Sequence, residues 1–185
     1  GLDQKSGFGG YVGSSHNRPT LLNIYYPIGI SFSPAGDKMV IMDGISNEEL
    51  YGFTLKKPWD LKTMNYTERY DISTNYDNIY GFWMHPDGFR FWTQTIESGK
   101  LGMTEWKTTK SWNIANTVAT PVKQVSFASL DNRTPHSDLP TGGSERGLWW
   151  KNDGTKFYTL SLTNDINGVM QFGTSGSAFD GGAGY

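Results

Sequence analysis

The groups able to do chemistry in this chain are few and scattered. Its three histidines, His16, His85 and His136, lie in a Gly-rich stretch, before a Pro-Asp-Gly turn and in a polar loop. That spacing does not bring imidazoles onto one metal, and with no cysteine there are no thiolate ligands or disulfides, so no metal and no cofactor is expected. Asp60, Asp71, Asp77 and Glu97 offer carboxylates for glycoside hydrolysis, which needs a pair roughly 5 to 10 Å apart around one bond. Acids in turns are normally solvated, and nothing in the order of residues brings two of these together. Asp43, Asn47 and Glu48, or Asn164, Asp165 and Asn167, carry oxygens suited to calcium, but Asn and Asp serve turns through their backbone torsions far more often. There is no nucleophile elbow, phosphate loop or helix-flanked calcium loop. The sequence is read as that of a non-enzyme.

Aromatic side chains are the richer resource: seven Trp, ten Tyr and ten Phe. Sugar rings stack on exposed Trp and Tyr faces while nearby Asn and Asp bond the hydroxyls, so this excess is compatible with carbohydrate binding. Trp59 and Trp112 recur at matching places and are read as core. Trp83 and Trp149 alternate away from the expected core face and are candidates to line a channel, pack a neighbouring sheet or meet a ligand. Trp92 and Trp106, confined to the middle of the chain, are candidates for a surface or subunit contact. The polar stretch from Ala128 to Arg146 adds Arg133, His136 and Asp138 as candidate binding residues.

What must position these residues is an internal repeat. Gly29, Gly81 and Gly147 each open a short apolar strand, and seven residues later Gly36, Gly88 and Gly154 close a turn into another strand. Asp87-Gly88 and Asp153-Gly154, and Gly36 after Pro34-Ala35, supply the positive torsion of a tight hairpin. Alternation places Ile30 and Phe32, Phe82 and Met84, Leu148 and Trp150 on the expected core face, opposite Ser31, Trp83 and Trp149. A third strand, a Trp mark at Pro58-Trp59-Asp60-Leu61 or Ser111-Trp112-Asn113-Ile114, and a fourth strand (64–72 and 118–127) follow in copies one and two. Copy three offers only Ala178-Phe179-Asp180 and no room for a fourth strand.

The expected fold is therefore all-β: a small propeller-like arrangement of three four-stranded repeats at about 28–78, 79–146 and 147–180, with the loop insertion 128–146. The strand-like run at about 21–26 is expected to complete the third repeat, closing a ring and hiding two sheet edges. Residues 1–20 form a Gly and aromatic arm, and 21–185 one domain. A net charge of −2 leaves no footprint for nucleic acid, and no apolar run approaches the length of a membrane span. A first residue that is Gly rather than Met suggests processing or a longer parent chain.

The repeat resembles the β-propeller-type repeats of bacteriophage tail-fibre and other virion surface proteins, and of some bacterial surface proteins. Residues 28–180 carry the likeness. Copy one keeps Phe32, Pro34, Gly36, Lys38, Met39, the Leu50 to Leu55 strand and Pro58 to Leu61; copy two keeps Pro86-Asp87-Gly88 and Trp112; copy three keeps Asp153 to Lys156 but has Asn152 in place of Pro. The resemblance implies a non-enzymatic virion surface structural protein of a phage, of tail-fibre or decoration type, serving assembly or host attachment. Its partners would be copies of itself or other virion proteins, with host surface glycan a further possibility, and its location the virion surface or the extracellular space. The alternatives are a lectin-like glycan-binding module and, behind it, a carboxylate-dependent glycan-cleaving enzyme.

Overall fold

A computed structural model describes residues 24–45, 47–73, 78–97, 100–126, 146–162 and 167–173. The arm at 1–20, the insertion from 128 and the aromatic mark of copy three lie outside the described residues.

The first sheet is a four-stranded antiparallel meander in the order β1 (Pro27–Phe32), β2 (Lys38–Asp43), β3 (Glu49–Leu55) and β4 (Met64–Asp71). The second repeats it with β5 (Ile79–Met84), β6 (Arg90–Glu97), β7 (Lys100–Lys107) and β8 (Lys123–Ser126). The third contains β9 (Arg146–Trp150), β10 (Lys156–Leu162) and β11 (Asn167–Gly173). All-β architecture built on blade-like sheets is thus as the repeat predicted.

Each first hairpin turns in the same way. Gly36, Gly88 and Gly154 donate to the carbonyls of Ser33, His85 and Lys151 at 2.8 Å, with φ of 73°, 74° and 69°. A type I turn followed by a left-handed residue closes such a loop, and glycine takes that torsion without strain. The tryptophan marks belong to these turns. Trp59 and Trp112 adopt left-handed backbone themselves, φ 65° and 52°, and their N–H groups donate to the Gly36 and Gly88 carbonyls at 2.9 Å. Each indole then lies on its glycine: a Cβ at Gly36 would sit 2.2 Å from Trp59 Nε1, and one at Gly88 2.1 Å from Trp112 Cδ1. The turn glycine and the tryptophan some twenty residues later are one structural unit.

Register shows which positions correspond. Ile30, Phe82 and Leu148 pair with Ile41, Thr93 and Thr159, and Ser31, Trp83 and Trp149 pair with Val40, Trp92 and Tyr158. The sheets stack face to back. Val40, Met42 and Leu50 of the first sheet bury against Phe82, Met84, Phe91 and Trp106 of the second. Trp92, Met103 and Val125 of the second bury against Leu148, Trp150 and Phe157 of the third. A fully buried Phe or Leu contributes about 2 kcal/mol, so these two seams carry much of the stability. The first strands run past one another, and polar bonds cross both seams: Met84 N–H donates to Ser31 Oγ at 3.2 Å, and Gln94 Nε2 to Thr159 Oγ1 at 3.0 Å.

Two expectations, for Ile30 and Trp59, need correction, and a third, closure of the third repeat by the 21–26 run, is not shown among the described residues. The third sheet has three strands among the described residues, and the described part of the 21–26 run does not supply its fourth. Residues 24–26 are not a strand; the Tyr25 and Tyr26 N–H groups donate to the Asp43 carboxylate at 2.8 and 3.0 Å, and Gly44 N–H donates to the Tyr26 carbonyl at 3.1 Å. Asp43 ends β2 opposite Pro27, so its two oxygens capture the chain just before β1 and tie it to the first sheet. Ile30 was read as core and is exposed, as is Trp59, whereas their counterparts Phe82 and Trp112 are buried. The difference is position in the stack: the second sheet is covered by the first on that face, and the first sheet's own outer face holds a separate cluster of Met39, Ile41, Tyr51, Phe53 and Leu55 that leaves Ile30 and Trp59 outside.

Candidate functional site

The tryptophans read as candidate binding residues separate into two environments. Trp92 and Trp106 are buried, which overturns their assignment to a surface contact. Both point into seams because β6 and β7 are the middle strands of a sheet covered on both faces. Trp106 stacks on Phe91 with rings 5.9 Å apart and nearly parallel, and its Nε1 donates to Thr93 Oγ1 at 2.9 Å. Trp92 lies 4.9 Å from Trp150.

Trp83 is half-buried at the rim of the second seam, with Trp92 at 5.4 Å, Trp150 at 6.4 Å and the His85 ring edge-on at 5.8 Å. Trp149 is exposed on the far face of the third sheet, so the two residues that shared a role in the sequence do not meet. Its companion is Tyr158, opposite it on β10, with ring centroids 5.5 Å apart. Leu160, two residues further along β10, is exposed beside them. Together they form an apolar shelf of which the sequence analysis named only Trp149. Tyr158 and Leu160 correspond to Trp92 and Gln94 in copy two, and that equivalence is the signal that would have found them. Arg133, His136 and Asp138 lie outside the described residues.

Of the acids weighed for glycoside hydrolysis, Asp77 and the Glu97 side chain lie outside the described residues, and Asp60 and Asp71 are occupied. Asp60 caps the 3-10 turn Leu61–Thr63 by accepting from Lys62 N–H at 3.1 Å, and Asp71 accepts from Ser73 N–H at 2.8 Å. The buried acidic pair is one the sequence did not single out, Asp43 opposite Glu49 across β2 and β3. Asp43 holds Tyr25, Tyr26 and, at 3.3 Å, Asn47. Glu49 accepts from the Tyr51 hydroxyl and lies 3.4 Å from Arg69. Burial, reinforced by that bond to Glu49, pushes the Tyr51 phenol well above the usual tyrosine range. The arrangement anchors the chain before β1. Among the described residues no group of three or more His, Asp or Glu converges as a metal site, and no helix is long and apolar enough to cross a membrane.

The fold thus defines a class, an all-β protein of repeated antiparallel sheets resembling propeller blades. No protein-family model matches the sequence, and no curated protein does. Solved structures resemble it distantly. A 6-phosphogluconolactonase-like protein of Bacteroides fragilis aligns at 13% identity and a TM-score of 0.48, over 80% of this chain and 34% of that one. The β-propeller domain of Myceliophteria thermophila Cps50 (Swd1) aligns at 8% identity and a TM-score of 0.43, over 72% and 34%. A functionally unknown protein of Desulfotomaculum acetoxidans aligns at 9% identity and a TM-score of 0.42, over 84% and 42%. The chain spans about a third of the first and second of these and about two fifths of the third.

Proposed function

We propose that this chain is a non-enzymatic structural protein of a bacteriophage particle surface, of tail-fibre or decoration type, acting in assembly or host attachment. The observation that carries the reading is where its surface apolar groups sit. Trp149 with Tyr158 and Leu160 on one end of the stack, and Ile30 with Trp59 on the other, are displayed on sheet faces, which suits contact with another protein surface. The likeness of the hairpin and Pro-Trp-Asp-Leu pattern to virion repeats supplies the particle. On this reading the stack is an arc of a propeller-like ring, completed by further sheets, and its partners are copies of itself or other virion proteins.

Antiserum raised against the purified chain tests this directly. Applied to phage particles grown from the genome that encodes it, the antiserum should decorate one defined part of the particle in negative-stain electron microscopy. Unlabelled particles, with all of the protein left unassembled in the lysate, would refute the proposal. A second reading, a lectin-like module, is favoured by one observation, the Trp149–Tyr158 pair, whose exposed rings suit a sugar face. A glycan array in which binding is lost on Trp149→Ala would support it, and no binding to any glycan would exclude it.

A further inference from the structure

The loop that follows the third strand is built twice on the same backbone and furnished differently. In copy one, Lys56 N–H donates to the Thr63 carbonyl at 3.2 Å and Asp60 N–H to that of Lys57 at 3.1 Å. In copy two, Thr109 N–H donates to the Asn116 carbonyl at 2.9 Å and Asn113 N–H to that of Lys110 at 3.3 Å. Lys56 and Lys62 therefore hold the places of Thr109 and Ala115, and Lys57 that of Lys110. The loop does not need Lys56 or Lys62 to close, since copy two closes it without them. Trp59 departs from its counterpart as well: it is 60% exposed, against 6% for Trp112.

The Trp59 ring is nonetheless held in place. Its backbone N–H is tied to the Gly36 carbonyl, and the indole rests on Gly36 and stacks on Phe32 at 5.3 Å. Around it the charge is one-sided. The three hairpin turns share one end of the stack, because the first strands run in step: Ser31 meets Met84, and Trp83 meets Trp150. Among the described residues the exposed charges at that end are Lys56, Lys57, Lys62, Lys107, Lys110 and Lys151, against Asp87 alone. Lys57 and Lys151 have carboxylate partners in Asp60 and Asp153. Lys56, Lys62 and Lys110 have none within ion-pair reach among the described residues. The net charge of −2 conceals this local surplus of cations. The two loops also adjoin: the 3-10 turn Ile114–Asn116 packs on β4, with the Ile114 and Ala115 N–H groups donating to the Glu68 carboxylate at 3.1 and 3.2 Å.

We propose that the loop at 56–63 is a binding platform for an acidic glycan, with Trp59 stacking on a sugar ring and Lys56, Lys57 and Lys62 pairing with carboxylates on that ring or its neighbours. The apolar C–H face of a sugar fits an open indole, and ammonium groups beside the indole select sugars that carry negative charge. A nucleic acid strand is served less well, since one indole gives no row of platforms for successive bases. The choice of ligand rests on the attachment role proposed above; the platform itself does not.

The test is a glycan array carrying carboxylate-bearing, phosphate-bearing and neutral sugars, probed with the full chain at low and high salt. The variants are Trp59→Ala and the double charge reversal Lys56→Glu with Lys62→Glu, and near-ultraviolet circular dichroism checks that each keeps its packing. The lysine variant changes only exposed side chains, so it decides the matter if Trp59→Ala disturbs the turn. Carboxylate-bearing glycans should bind, their neutral counterparts about tenfold more weakly or worse, and affinity should fall as salt rises. Each variant should lose about tenfold or more. Absence of binding to any carboxylate-bearing glycan overturns the proposal, as does equal binding to neutral counterparts, a preference for phosphate-bearing sugars, or a lysine variant that binds like wild type. Binding lost on Trp149→Ala but kept on Trp59→Ala would move the sugar to the Trp149 shelf, and a single-stranded oligonucleotide bound more tightly than any glycan would reassign the basic end to nucleic acid; either result refutes the platform. Glycan binding without particle labelling would sink the virion reading and leave the platform standing; particle labelling without glycan binding would do the reverse.

Discussion

Replacing Gly88 by Ala should cost far more than replacing its counterpart Gly36, although both glycines have nearly the same torsion. An alanine held near φ +74° costs about 1 kcal/mol at either site. The remainder depends on what lies over the new methyl. At Gly36 the close atoms, Nε1, Cε2 and Cδ1 of Trp59, all belong to a ring that is exposed and held on one side only by stacking on Phe32 at 5.3 Å, so it can swing outward at the cost of that contact. At Gly88 the new methyl would also meet the Trp112 backbone N at 2.4 Å, and the ring at 2.1 Å is buried against the second sheet and bonded through Nε1 to the Pro86 carbonyl at 3.0 Å. Unseating a buried Trp forfeits about half or more of the roughly 3 to 5 kcal/mol that its removal costs. Gly36→Ala should therefore lose about 1 to 2 kcal/mol and Gly88→Ala about 3 to 5. With a urea slope near 2 kcal/mol per molar, the two midpoints should stand apart by about 1 M. A double-mutant cycle of Gly88→Ala with Trp112→Ala should recover about 2 kcal/mol of coupling. Coincident midpoints, or a Gly88→Ala cost unchanged when Trp112 is absent, would refute the account of the glycine and tryptophan as one unit.

Three further outcomes follow from single groups. Thr104 is buried with no partner for its hydroxyl, so Thr104→Val should stabilise by about 1 kcal/mol and raise Tm by a few degrees in a calorimetric scan. Glu105 has its carboxyl pushed up by burial, against the pull of Arg90 at 3.9 Å and of Lys107 and Lys123. Folded protein then holds the proton more readily than unfolded, so this group's contribution to stability falls as pH rises from the ordinary carboxylate range through the raised value. The stability of Glu105→Gln relative to wild type should improve between pH 4 and pH 7 in urea titrations; an opposite trend would contradict the assignment. Asp153 is held down to about 2 by hydrogen bonds from the Lys151 ammonium and from Thr155. Its carboxyl carbon should titrate near there by NMR and move back toward the usual range in Lys151→Met.

Much of the fold was legible because hairpins are local. The turn at Asp87-Gly88 needs only the torsion of one glycine and the Phe89 N–H that Asp87 accepts at 2.8 Å, and alternation then places Phe82 and Met84 on one face. Sheet order needed nothing more, since each strand pairs with the next. The site was less legible. Period-2 alternation says that Trp83 and Ser31 face the same way but not what stands opposite, and Trp92 and Trp106 were misplaced because strands of a sheet covered on both faces are apolar on both. Asp43 was weighed as a turn residue and proved to be the anchor for Tyr25 and Tyr26, a contact across 17 and 18 residues that no local pattern encodes.

Repeat, strand and turn were properties of the sequence by itself, because each depends on neighbours within one hairpin. Burial was not. Ile30, Phe82 and Leu148 occupy the same place in three copies of one motif, and so do Trp59 and Trp112, yet which of them meets solvent was decided only when the sheets stacked. A sheet face is buried by whatever lies about 10 Å away in space, and that neighbour comes from the next repeat, some fifty or more residues along the chain. The ends of the stack expose what its middle conceals.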